Sequence, residues 1–226
     1  MTEAPLISTV IPVFNCEKYL GAAIESILAQ NYHPMQIVVV DDGSTDNSAG
    51  VARSFPQVEY HLQEHAGVAT ALNKGIAETK GDFLAFLDSD DLWMEGKLAR
   101  QIEAFAKDPE LGMVMGSVEQ FRETGPDGGP VSLGIFNGYL KIAMLIRRSA
   151  MFEVGLFDPQ WTTGDFIDWY IRATEKRVKS IMLPEVVARR RIHDSNMGIR
   201  QRDSQTDYAR IMRQVLERRR KAKSQS

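Results

Sequence analysis

Three carboxylates, Asp88, Asp90 and Asp91, close the apolar run Phe83-Leu84-Ala85-Phe86-Leu87. A run that is apolar at nearly every position reads as a strand covered on both faces, as in a parallel sheet. Its carboxyl end is where open α/β sheets bind ligands. Two carboxylates about 4 Å apart repel by about 4 kcal/mol at an effective dielectric of about 20. A positive partner is therefore expected, and a hard divalent cation suits an oxygen donor set. A solvated turn that only caps the next helix is the competing reading. The pattern recurs at Ile37-Val38-Val39-Val40, which runs into Asp41-Asp42-Gly43-Ser44-Thr45-Asp46.

The elements that must position these acids alternate. Leu6–Phe14 reads as the first strand, ending near Pro12, which has no N–H for a ladder. Asn15 is the expected cap of a helix carrying Leu20, Ile24, Ile27 and Leu28 at helical spacing. After the strand at 37–40, Ser44 or Thr45 is expected to cap a helix reaching about Phe55. A short strand over Val58–Leu62, a helix from Gly67 to about Thr79 and the central strand at 83–87 follow. Beyond it come a helix from Lys97 to Lys107, a strand from Leu111 to Phe121, a turn-rich loop at 123–130 and a helix opened by Gly164. Strands alternating with helices through short connections predict a doubly wound, Rossmann-like α/β sheet, mostly parallel and flanked by helices. No G-x-G-x-x-G follows the first strand and no Walker A sequence occurs, which argues against dinucleotide-binding and P-loop enzymes.

Composition narrows the class. The 226 residues are 43% hydrophobic and 25% charged, ordinary for a globular chain with a sizeable core. A net charge of -3 gives no general case for nucleic acid. The single cysteine, Cys16, excludes an internal disulfide and fits a reducing compartment. Met1–Pro5 lacks the marks of a signal peptide, and no apolar run approaches the length of about 20 residues that spans a bilayer. The expected location is cytoplasmic, with peripheral membrane contact as an extension of it.

Four motifs in order, Val-Ile-Pro-Val-Phe-Asn (10–15), Val-Val-Asp-Asp-Gly-Ser-Thr-Asp (39–46), Leu-Asp-Ser-Asp-Asp (87–91) and Gly-Leu-Phe-Asp (155–158), resemble family-2 glycosyltransferases of the GT-A fold. The resemblance covers roughly residues 6–195. It implies a nucleotide-diphospho-sugar donor, usually a UDP-sugar, a divalent cation, Mn²⁺ or Mg²⁺, and inversion at the anomeric carbon. By motif, Pro12, Val13 and Asn15 line the nucleotide cleft and Asp42 bonds the uracil. Asp88-Ser89-Asp90 is the Asp-x-Asp motif, with Asp90 on the metal and Asp88 facing the ribose and the metal shell. Asp91 is left to cap the next helix, and Asp41 to fix its loop. Arg191-Ile192-His193-Asp194-Ser195-Asn196 resembles the Arg-x-His-x-x-Ser ending of many members, which makes His193 a further ligand of the metal or the diphosphate. A neutral imidazole is a competent ligand for Mn²⁺ beside carboxylates.

The chain departs from the family pattern at the base. Many members carry an acidic motif with an arginine six residues after its Asp, but six before Arg172 stands Phe166. Asp165 matches a Gly-Asp variant if one extra residue is allowed, and Asp168 falls on the second acidic position. Asp165 is the expected base and Asp168 the alternative; an N-cap role for Asp165 is the competing reading. Leu72 stands where members often have an arginine, so Lys74 or Arg148 is expected to supply the missing charge. Trp93 and Trp161 are candidate stacking platforms for sugar, Trp161 for the acceptor. The acceptor class expected is saccharide, lipid-linked or peptide. The organisation expected is a glycosyltransferase domain over 1–200, its nucleotide-sugar half about 1–115 and its acceptor half about 116–200, followed by a basic helical tail over 201–226. That tail suits a membrane surface, an acidic peptide, another subunit in a homo-oligomer, or simply solvent. The competing functions are a nucleotidyltransferase, which wants a basic Gly-rich loop where Pro12–Asn15 stands, and a non-catalytic nucleotide-sugar-binding protein.

Overall fold

In the computed structural model, residues 4–124, 129–194, 196 and 205–223 are described. The first half alternates parallel strands with helices: β1 (Ile7–Val13), α1 (Glu17–Leu28), β2 (Met35–Asp41), α2 (Ser48–Arg53), β3 (Val58–Leu62), α3 (Val68–Glu78) and β4 (Phe83–Phe86). Then follow β5 (Leu92–Trp93), α4 (Lys97–Lys107), β6 (Met113–Arg122), β7 (Val131–Asn137), a 3₁₀ turn (Lys141–Ala143) and β8 (Leu145–Arg147). The chain continues through α5 (Arg148–Val154), α6 (Asp165–Glu175), β9 (Ser180–Arg191) and α7 (Gln205–Lys223).

The strands form one sheet in the order β3-β2-β1-β4-β8-β6-β9-β5, with β7 added on β6. The pairings β1–β2, β1–β4, β2–β3 and β6–β9 are parallel and carry most of the ladder. β8 runs antiparallel between β4 and β6, so the winding reverses there. β1, β2 and β4 are buried along almost their whole length, as expected of strands covered on both faces. One face packs α1 and α4 against Ile11, Val39, Ala85 and Leu87; the other packs α3, α5 and α6 against Val10, Leu84 and Phe86. β4 pairs with β1 only as far as Val10, so Pro12 lies beyond the reach of that ladder.

Local chemistry explains the differences from expectation. Asn15 does not cap α1: it sits at φ 49, and Cys16 holds the cap position. α2 begins late, with Asn47 rather than Ser44 or Thr45 at its cap, because residues 43–46 are spent on the loop beside Asn15. β5 has only two residues and β7 is exposed along nearly all its length, so neither left a strand-length apolar signature in the sequence. Of the expected loop at 123–130, residues 125–128 lie outside the described residues, as do Ser195 and 197–204. Among the described residues, no helix is long and apolar enough to cross a membrane.

Candidate active site

At the end of β4 the chain turns sharply, with Asp91 N–H bonded to Asp88 O at 3.1 Å. That turn fans the acids apart. Asp88 Oδ1 meets Lys141 Nζ at 3.0 Å. Asp90 Oδ2 meets His193 Nε2 at 3.0 Å and accepts Asn196 Nδ2 at 3.1 Å. Asp91 is buried and accepts the Arg191 backbone N–H at 2.8 Å. Asp91 thus ties β9 to the turn instead of capping α4, whose cap position is Gly96. The Arg191 side chain donates to Asp90 O and to Glu123, and stacks over Tyr19, whose ring lies 4.9 Å from that of His193. β9 therefore delivers His193 to the strand end across 103 residues of sequence.

The electrostatics follow from crowding. Burial, then the charge of Asp88, pushes the Asp90 carboxyl up, while His193 pulls it back down. Burial, then Asp90 and Asp88, pushes Asp91 well above the carboxylate range. Burial alone would lower Lys141, but Asp88, Asp165 and Asp91 together hold it above the ordinary lysine value. The positive partner demanded by the acids is thus partly built in, and Lys141 supplies it.

Asp165 opens α6, one residue after Gly164 at φ 86, so it is not itself the cap. It is 6% exposed, and its Oδ2 is buried with no hydrogen-bond partner. Asp168 differs: its Oδ2 is held by Arg172 Nε at 2.8 Å and its Oδ1 by Arg218 of α7 at 3.5 Å. Phe166 faces the core.

The ends of β1 and β2, where the nucleotide contacts are expected, are bound together by their own polar groups. Asn15 Oδ1 accepts Thr45 N–H at 2.7 Å, joining the ends of β1 and β2. Pro12 and Val13 are buried beside Val40 and Asp41 in the ladder. Burial pushes the Cys16 thiol up to about 11, and Ser89 beside it acts in the opposite direction. Asp42 accepts Gln63 at 2.7 Å, Ala66 N–H at 2.8 Å and Gly67 N–H at 2.9 Å, and contacts His65 at 2.9 Å. Its oxygens are committed to the loop that opens α3. Asp41 accepts Ser44 N–H and the Tyr60 hydroxyl, fixing its loop as expected. His65, which stands in no motif, stacks on Phe14 with ring centres 4.2 Å apart.

Several expected residues lie elsewhere. Leu72 is buried in the core, Lys74 Nζ is bonded to Leu62 O at 2.7 Å, and Arg148 reaches Thr79 at 2.8 Å, beside the amino end of β4. Neither cation reaches the acids; Lys141 does. The stacking role expected of the tryptophans does not hold. Trp93 is 4% exposed with its indole N–H on Ile142 O, and Trp161 is 1% exposed beneath Ile211 and Val215 of α7. The geometry also adds Asn196, which occupies the place of the motif's serine and grips both Asp90 and the His193 backbone.

Among the described residues, no three His, Cys, Asp or Glu side chains are gathered as a ready metal cage. Asp90 and His193, with Asp88 beside them, are a partial set of oxygen and nitrogen donors. The repulsion between the Asp88 and Asp90 carboxylates is what a cation would relieve, and diphosphate oxygens could complete its shell. The residues present fit a cation that arrives with a diphosphate.

A curled, mostly parallel α/β sheet flanked by helices, with acids at the carboxyl end of its central strand, is a fold of the GT-A kind. The glycosyl transferase family 2 profile matches residues 8–158, and the chain belongs to that family. An uncharacterised glycosyltransferase of Rickettsia felis is 33% identical over 189 residues, 74% of this chain and 31% of that protein. One from Nostoc sp. is 32% identical over 215 residues, 84% of this chain and 66% of that protein. The chain thus spans about a third of the first relative's length. Among solved structures, S. aureus TarS 1–349 in complex with UDP-GlcNAc superposes with a TM-score of 0.74 at 16% identity, covering 92% of this chain and 65% of that one. Mannosyltransferase PcManGT from Pyrobaculum calidifontis, in complex with GDP-Man and Mn²⁺, gives 0.66 at 20% identity, covering 86% and 59%. These two likenesses show the fold.

Proposed function

We propose that this glycosyltransferase moves a sugar from a nucleoside-diphosphate donor, of UDP-sugar type, to an acceptor hydroxyl with inversion, using a divalent cation and Asp165 as base. The observation that carries the reading is the buried, unpartnered Oδ2 of Asp165, whose charge acts on the lysine paired with Asp88. An acid left without a donor in a folded core wants a proton-bearing partner from outside. Asp168 is the weaker candidate because two arginines already occupy it.

Asp90 and His193 would hold the cation, with Asp88 beside it, and Asn196 fixes their orientation. When bound, the cation stabilises negative charge on the departing diphosphate as a Lewis acid. Asp165 accepts the acceptor's proton as its oxygen bonds the anomeric carbon on the face opposite the diphosphate. The bond from that carbon to the diphosphate oxygen breaks, and its electron pair leaves with the nucleoside diphosphate. The Phe14–His65 stack and the Gln63–Gly67 loop around Asp42 are the surfaces that would receive the base. In donor-sugar hydrolysis with a panel of nucleotide sugars, one donor is expected to turn over with Mn²⁺ or Mg²⁺ and to stop with chelator. Asp90→Ala is expected to lose nucleotide binding together with turnover, and Asp165→Asn to lose turnover alone. Full activity in chelator would refute the metal assignment.

A further inference from the structure

Lys141 was marked by no motif, yet it stands where the acids converge. Its ammonium lies 3.0 Å from Asp88 Oδ1, its side chain is 13% exposed, and the charges of Asp165 and Asp91 also act on it. The turn that carries it is clamped from below by side chains of β5 and α4. Trp93 Nε1 donates to Ile142 O at 3.1 Å, Gln101 Nε2 to Ala143 O at 2.8 Å, and Lys97 Nζ to Met144 O at 3.3 Å. Three successive carbonyls after Lys141 are thereby satisfied by buried donors. A buried lysine, a buried glutamine and a buried indole on one short turn are an unusual expense of polar groups in a core, and they explain one another as a mount.

We propose that Lys141 is a positioning residue for Asp88, in the donor half of the site. It neutralises Asp88 before the cation arrives, holds that carboxylate at the end of β4, and competes with the cation for it. The inference rests on the metal-dependent reading above. It assigns to this chain a cation where the expected ones, Lys74 and Arg148, point elsewhere. Removing the ammonium should do two opposite things: strengthen the site for the cation and weaken transfer.

The test uses the full chain with UDP and Mn²⁺. Calorimetry gives the Mn²⁺ concentration at which UDP binding is half-maximal, and donor hydrolysis gives kcat and KM. In Lys141→Met that concentration should fall by at least about fivefold, the lower end of coupling between ligands of one protein. At saturating Mn²⁺, UDP affinity should stay within about threefold, while kcat falls about 10²-fold, as for loss of orientation. Lys141→Arg should return the Mn²⁺ requirement to the wild-type value, since the charge is back. Lys141→Gln, which keeps a polar donor in the turn, should behave as Lys141→Met does, and melting curves confirm that each variant folds. If wild type needs Mn²⁺ for UDP binding and turnover but Lys141→Met and Lys141→Gln match it in both readouts, this proposal alone is overturned. If wild type binds no UDP with Mn²⁺, the metal-dependent reading falls and takes this one with it.

Discussion

Asp165 and Asp168 sit one helical turn apart, and their surroundings separate them. Asp165 has a buried oxygen with no partner, whereas Asp168 is paired with Arg172 and Arg218. Asp165→Asn should therefore lower kcat by about 10²–10⁴-fold and leave the melting temperature near that of wild type. Asp168→Ala should lower stability by about 3 kcal/mol, because Arg172, half-buried, loses its carboxylate partner and keeps the carbonyls of Val154 and Leu156. Kinetics and denaturant melts of both variants check this; a stable, inactive Asp168→Ala would reverse the assignment. At this scale the sequence exposed the acids well, since each stands at the end of an apolar run. It hid some of their partners. Lys141 and His65 belong to segments whose local pattern carries no chemistry, and Asn196 stood in a motif that pointed only to His193; all three matter through contacts made across the fold.

α4 shows how an element can serve a site it does not touch. Its Lys97 is fully buried against Trp93, and burial lowers its ammonium from 10.5 to about 7. Between those values the unfolded chain holds a proton that the folded chain has released, so stability rises with pH across that window. Below about pH 7 both states are protonated and the penalty of burying the charge is felt in full. Lys97→Met should remove this slope: its stability relative to wild type is expected to be highest at pH 6 and to decline steadily toward pH 9.5, read from urea melts. α3 depends on close approach instead. A Cβ at Gly75 would meet Val10 Cγ1 at 2.4 Å, so Gly75→Ala should destabilise by about 1–3 kcal/mol, checked by thermal melting. The helices of the first half were legible because their apolar spacing is regular. β5 and β7 were not, because a two-residue strand and a solvent-exposed one leave no burial pattern to read.

Across the whole molecule, α7 returns from the end of the described chain to close over the second half. Ile211 and Val215 pack on Trp161, Ile211 lies against Gly164 just before Asp165, and Arg218 reaches Asp168 and Glu175. Ending the chain before Gln205 should expose Trp161, shifting its fluorescence to longer wavelength. It should also lower kcat while UDP binding with Mn²⁺ stays within about threefold of wild type, because the Asp90–His193 side does not rest on α7. Equal kcat in the shortened chain would show that the helix has no part in placing Asp165. The sequence by itself determined the alternation of strands and helices, the acids at the ends of β2 and β4 and the family they mark, because buried strands and their turns write a local, periodic pattern. Tertiary structure alone decided which charges meet. The reversal at β8 carries the Lys141 turn to Asp88, the parallel return of β9 carries His193 and Asn196 to Asp90, and α7 turns Trp161 from a candidate platform into core. Each of these contacts joins residues far apart in the chain, and sequence spacing holds no record of such distances.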